Sequence, residues 1–235
     1  MKSNQDSIWI SLSDLMTALM MIFMFIAINY MIQFVEYQFI EKNIYNKYED
    51  ILEKEIESGL IQLGPNGEVS FTDMRQSNEL FTVNKSEPTE FFKERLSEFL
   101  PQYWKIISDS NYIDYIEEIR IEGHADSKPF TGSTKEESYL RNLKLSQERA
   151  RNILKFMRTL PFYLDADSSE KNQMDFKFAA IGFSSSRVIN KAGEYVYDSS
   201  TFDKNIDDDL SRRVVFRLRT SNPELVEKIY TEKSK

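Results

Sequence analysis

From Ser7 to Val35 the chain reads SIWISLSDLMTALMMIFMFIAINYMIQFV, an apolar run interrupted by a single charge, Asp14. A membrane-crossing helix needs about 20 such residues, so the pattern predicts one span over residues 8–34. Residues 36–57 change character: Tyr37, Ile40, Ile44, Tyr48, Ile51 and Leu52 recur at helical spacing against a charged face. That stripe predicts an amphipathic juxtamembrane helix resting on the membrane or pairing with its own copy, ended by Gly59. Beyond it the periods alternate. LIQL and EVSF flank Pro65-Asn66-Gly67, a hairpin signal. Residues 88–107 read as a helix that Pro101 should break or kink. Residues 116–123 read as a strand, 136–159 as a helix through Leu140, Leu143, Leu145, Ala150, Ile153, Leu154 and Met157, and 175–183 and 212–220 as two more strands. Strands alternating with helices predict an α/β sandwich, helices packed against one sheet. Two polar stretches, 130–139 and 190–211, read as long loops.

The pattern thus divides the chain into a tail (1–7), a transmembrane helix (8–34), a juxtamembrane helix or linker (35–60), a folded domain (61–220) and a C-terminal tail (221–235). The apolar run is too long for a cleaved signal and no A-x-A-like site follows it, so a retained anchor is expected. The flanking charges barely bias topology, and the short tail is expected in the cytoplasm with the long domain exported. The net charge of -8 and the lack of a Lys/Arg block argue against nucleic acid as a partner. Cysteine is absent and there is one histidine, which excludes thiol chemistry and a His-rich metal site; no cofactor is expected.

Two motifs carry a resemblance. IEGHAD (121–126) followed by Asn142, Leu145, Ser146, Arg149 and Ala150 in an N-x-x-LS-x-x-RA spacing resembles the peptidoglycan-binding signature of the OmpA-like family. The Arg212-Arg213 pair leading into a strand is similar to that family's closing N-R-R-V motif, with Ser211 in place of its Asn. Upstream, the run from Trp9 to Met20 resembles the membrane helix of the stator subunit MotB, and SLSDLMTALMMIFMFI is most similar to the MotB-like component of Zorya anti-phage systems. The resemblance implies a single transmembrane helix plus an OmpA-like (MotB C-terminal-like) sandwich domain in the periplasm, at a bacterial inner membrane. It also implies a peptidoglycan-anchored stator subunit of a proton- or sodium-driven rotary complex. The partners implied are a ring-forming multispan MotA-like or ZorA-like subunit, a second copy of this chain, and the peptidoglycan stem peptide.

The residues suit that chemistry. A diaminopimelate stem ends in an ammonium beside a carboxylate. Asp126 can accept the former and Arg149 can fork onto the latter, a geometry Lys cannot reproduce. Asn142 is expected to fix the loop or donate one bond, Leu145 to shape the wall, and Arg213 to add a second cation; neighbours on a strand alternate faces, so only one of Arg212 and Arg213 points inward. Without the motif, Asp126 and Arg149 suit an ordinary ion pair bracing helix to sheet. His124 reads as a turn or packing residue. Nothing points to hydrolysis, so no enzyme is expected. An ionised Asp14 at bilayer depth costs roughly 2.5–3.5 kcal/mol, and such residues often mark ion paths. Thr17 and Ala18 share its helix face and permit close approach of a partner helix. Two other readings stay open: a passive tether between membrane and wall, and a flagellar-type stator subunit.

Overall fold

The computed structural model describes residues 2–57, 59–64, 68–72, 79–197 and 205–220. The expected turn at Pro65–Gly67, part of the 190–211 loop and the 221–235 tail lie outside the described residues, as do the side chains of Tyr37 and Ile40. The chain divides into two units, Met1–Asn43 and Ile44–Lys235. Helix α1 spans Lys2–Glu57. Within the first unit, Trp9–Ile32 forms 24 helical residues of mean hydropathy 2.2 with none buried. At about 1.5 Å per residue this exceeds the ~30 Å hydrocarbon thickness, so the helix is long and apolar enough to serve as a single-pass anchor.

In the second unit the last turns of α1 belong to the domain. Ile44, Tyr48 and Leu52 are buried, Tyr48 stacks on Tyr103 at 5.2 Å, and Lys47 bonds Asp109 at 3.3 Å. Ile44, Tyr48 and Leu52 of the amphipathic stripe are thus covered by the protein's own core, which corrects the expectation of a membrane surface or second copy for those three, whereas Ile51 stays exposed.

The sheet has five strands in the order β1-β2-β5-β3-β4. β1 (Ile61–Leu63) and β2 (Val69–Thr72) pair antiparallel with Ile61 opposite Phe71, and β2 pairs β5 (Arg213–Thr220). β3 (Ile116–Gly123) runs antiparallel to β5 and parallel to β4 (Phe178–Gly182). A parallel pair requires a crossover, and three helices provide it: α3 (Lys135–Met157), α4 (Pro161–Leu164) and α5 (Ser168–Lys177). The expected strand over 175–183 begins three residues late because α5 continues to Lys177. A short α6 (Asp208–Ser211) precedes β5.

Helix α2 (Glu90–Ile107) starts where Thr89 accepts the Phe92 amide at 3.2 Å, and it passes through Pro101 unbroken. Proline inside a helix costs about 3 kcal/mol. Eight buried side chains hold the helix across that point, among them Phe99, Leu100, Tyr103 and Trp104 on both sides of it. Phe71, Phe99 and Phe216 meet edge to face at 5.1–5.9 Å, forming the aromatic centre between α2 and the sheet.

The second half of the polar stretch 130–139 is helix. Thr134 and Glu137 form a reciprocal capping box, so α3 starts at Lys135. Its buried stripe is also unlike the expected apolar one: Ser138, Asn142, Ser146 and Arg149 lead into Ala150, Ile153 and Met157, whereas Leu140 is 53% exposed. Polar side chains occupy the first half of the core-facing stripe because that half borders a cleft.

Candidate functional site

The cleft is built at the end of β3. Pairing continues past the strand, with the His124 amide donating to the Arg213 carbonyl (3.0 Å) and the Ala125 amide to the Ser184 carbonyl (2.9 Å). This rigid exit delivers Asp126 to the rim, where it accepts the Lys128 amide at 3.3 Å. α3 is locked beside it: the Ser184 amide donates to Ser146 Oγ at 3.0 Å, and Ser184 Oγ donates to the Tyr139 carbonyl at 2.7 Å. The third wall is the segment 79–89, closed by the Phe81–Pro88 bridge and a left-handed Asn84 (φ 58°).

Asp126, Asn142, Leu145, Arg149 and Arg212 line one cavity of about 180 Å³, with Phe81 and Phe130 among its walls. That is below the about 300–1,000 Å³ of drug-sized sites and suits a small polar head group. Arg149 is 8% exposed; its Nε donates to the Lys85 carbonyl at 3.0 Å and its guanidinium lies over the Phe81 ring at 4.6 Å. Packing thus fixes its plane, the condition for bidentate recognition. Arg212 donates to Asp126 Oδ2 at 2.8 Å and also pairs with Asp209. Burial disfavours its charge, but the bonds to Asp126 and Asp209 outweigh that and raise its pKa. Its buried Nε has no hydrogen-bond partner among the described residues.

Arg213 is not in the cleft. It opens β5 on the other side, donating to the Ser211 carbonyl (3.2 Å) and the Arg187 carbonyl (3.1 Å) and facing the Tyr195 ring. The inward member of the pair is Arg212, the C-cap that follows α6 and precedes the strand. Ser211, fully buried, accepts the Ile189 amide at 3.0 Å and so ties the 187–197 loop to the base of β5. In the other unit, Asp14, Thr17 and Ala18 lie on exposed helix, with Thr17 Oγ1 bonded back to the Ser13 carbonyl at 2.8 Å.

His124 is 1% exposed, stacked on Phe183 at 5.4 Å and 3.4 Å from Glu122. Burial first, then the cations Arg213 and Arg187, push its pKa well below the ordinary 6.5. The sign follows: below pH 6.5 the unfolded chain takes up a proton that the folded chain refuses, so stability falls with falling pH at up to about 1.4 kcal/mol per unit. Urea unfolding at stepped pH should show this slope between about pH 6.5 and 5. His124→Gln should flatten it; an unchanged slope would assign the acid sensitivity to carboxylates.

The sequence pattern missed Arg212 and the whole 79–89 wall. The first was half visible as one of an arginine pair. The second has no periodicity to reveal it.

No family model matches the chain. The Zorya protein ZorB of Escherichia coli (strain ATCC 8739) is 32% identical over 98% of this chain and 96% of that protein. Among solved structures, a MotB like protein from Desulfovibrio vulgaris overlaps 77% of this chain and 92% of its own, at 16% identity and a TM-score of 0.47. The OmpA-like domain of FopA1 from Francisella tularensis covers 69% of this chain and 82% of its own, at 21% identity and a TM-score of 0.37. With a match to a curated relative along almost its whole length, this chain belongs to the ZorB family.

Proposed function

We propose that this chain is the wall-anchored stator subunit of an ion-driven complex in a bacterial inner membrane, acting in anti-phage defence. Residues 1–7 lie in the cytoplasm, 8–34 cross the membrane, and the 61–220 domain grips peptidoglycan in the periplasm without cutting it. The observation that carries the reading is one small cleft holding a rim carboxylate, Asp126, and a plane-locked guanidinium, Arg149. A stem-peptide end presents an ammonium and a carboxylate a few ångströms apart, the complement of that pair. Arg212 orients Asp126 through its 2.8 Å bond, and Asn142 and Leu145 complete the wall. A single helix makes no channel, so Asp14 works against a multispan, ZorA-like ring that surrounds two copies of this chain. It takes up a proton or sodium ion from one side and releases it to the other.

The test is retention on purified sacculi. Asp126→Ala and Arg149→Lys should each weaken binding by about tenfold or more, the scale of a lost charge-assisted contact. Arg149→Lys keeps the charge and loses only the fork. Undiminished binding by both variants removes the cleft from wall recognition.

A further inference from the structure

On the sheet face turned away from α3, charges replace apolar side chains. Arg120 on β3 stands directly opposite Arg217 on β5, and like charges so placed repel. Acids offset this: Glu118 takes Arg120 Nε at 2.7 Å, the fully buried Glu122 takes Arg217 Nε at 3.1 Å, and Glu68 also pairs with Arg217. The 187–197 loop then adds a third guanidinium above the pair. Arg120, Arg187 and Arg217, with Ser186, Tyr195 and Tyr197, line a cavity of about 510 Å³. Its lining is three guanidiniums and three hydroxyls; the acids that pair with those guanidiniums, Glu68, Glu118 and Glu122, are not among the lining residues.

Donor capacity is left over. Arg187 lies flat on the Phe183 ring, 3.5 Å from its centroid, and reaches one carboxylate only at 3.5 Å. Arg120 engages its acid through Nε, so its two terminal nitrogens are spare among the described residues. Tyr195 is fixed by the Arg217 bond at 3.1 Å. Tyr197 is 73% exposed, a flat aromatic wall at the mouth. Arg187 also acts on the buried His124, which it and Arg213 help keep neutral after burial.

We propose that this cavity is a second binding site, for the phosphate group of a phosphorylated small molecule or lipid headgroup. One arginine fork satisfies a carboxylate. The terminal nitrogens of Arg120 and the loosely paired Arg187 guanidinium, set around one hollow edged by hydroxyls, suit the terminal oxygens of a tetrahedral dianion. The volume is within the range of small-molecule sites and leaves room for the moiety bearing the phosphate. The site stands independently of wall binding, since none of its residues lines the Asp126 cleft.

Titration calorimetry on the full chain in detergent tests it, with glucose 6-phosphate and dihexanoyl phosphatidic acid as probes and glucose as the blank. Saturable binding of a phosphorylated probe and none of glucose is expected. Arg120→Gln and Arg187→Lys should each weaken it about tenfold, with the unfolding midpoint and sacculus retention unchanged. Tighter binding of the lipid assigns the source to a headgroup, and tighter binding of the sugar phosphate to a soluble ligand. No saturable binding of either probe, or equal affinity in both variants, overturns the proposal.

Discussion

Replacing Asp14 by Asn is expected to abolish protection against phage while leaving membrane insertion and sacculus binding intact. The substitution preserves shape and polarity and removes only the ionisable carboxyl group. Asp14 is the single charge between Ser7 and Val35, near the start of the 24-residue apolar stretch. In its ionised form it carries a cost of roughly 2.5–3.5 kcal/mol that neutralisation removes. In the proposed function, that difference lets uptake and release shift the contact between this helix and a partner. Each elementary charge crossing a membrane supplies about 2.3 kcal/mol per 100 mV, enough to bias such a contact once per ion. The neighbours leave room for it: Thr17 satisfies its own hydroxyl on the Ser13 carbonyl at 2.8 Å, and Ala18 presents only a methyl group. The measurement is plating efficiency on cells carrying the variant with the proposed multispan partner, alongside ion flux in proteoliposomes. Asp14→Glu restores a titratable group one methylene further out and should recover part of both readouts. Full protection by the Asn variant would leave a passive tether as the function.

How much of this architecture can be read from sequence depends on what each element buries. The apolar run and the strand β5 show plainly, because a period of two or an unbroken apolar stretch leaves little choice of structure. β3 shows through an imperfect alternation of Ile116, Ile119 and Ile121 that a register shift between Ile116 and Glu118 interrupts. Helix α3 shows as a helix but with the wrong inner face. Its first half buries Ser138, Asn142, Ser146 and Arg149, and a search for apolar periodicity passes over polar residues. Its start was written in Thr134 and Glu137, a capping signal hidden inside a stretch that reads as loop. Pro101 misleads for the opposite reason: a local rule yields to the burial of Phe99, Leu100, Tyr103 and Trp104 around it. Of the candidate cleft residues, Asp126, Asn142, Leu145 and Arg149 are brought to one cavity, and Arg213 is not. Alternation shows that Arg212 and Arg213 diverge. Which of them turns inward depends on where α6 ends, and four residues of helix leave no periodic trace.

Gly123→Ala should be among the most destabilising single changes in the domain, and the cleft should fail with it. A Cβ on Gly123 would sit 2.2 Å from the Ser146 carbonyl oxygen and 3.0 Å from its carbon, both backbone atoms of α3. No rotamer relieves a clash with backbone, so α3 has to move off the sheet. Gly182, opposite Gly123 in the β3–β4 register, makes the second half of the seat: its Cβ would lie 2.4 Å from the Gln147 nitrogen. Gln147 then clamps the helix to β4, donating to the Ala180 carbonyl at 2.9 Å and accepting the Gly182 amide at 2.7 Å. Overpacking at such a contact costs about 3 kcal/mol, a fall of roughly 6–12 °C in Tm for a domain of this size. Gly132 supplies the contrast. Nothing lies within 4 Å of its missing Cβ, and its φ of +75° is the only obstacle, so Gly132→Ala should cost about 1 kcal/mol. Thermal unfolding separates the two, and sacculus retention below the unfolding temperature adds the functional half. Asn142, Leu145 and Arg149 all ride on α3, so a helix displaced by an ångström carries three of the five named cleft residues away from Asp126. Gly123→Ala should therefore lose wall binding even where it remains folded, whereas Gly132→Ala should keep it. Equal Tm values for the two variants would mean that the helix can lift from its glycine seat at little cost, and that the cleft is held by its rim.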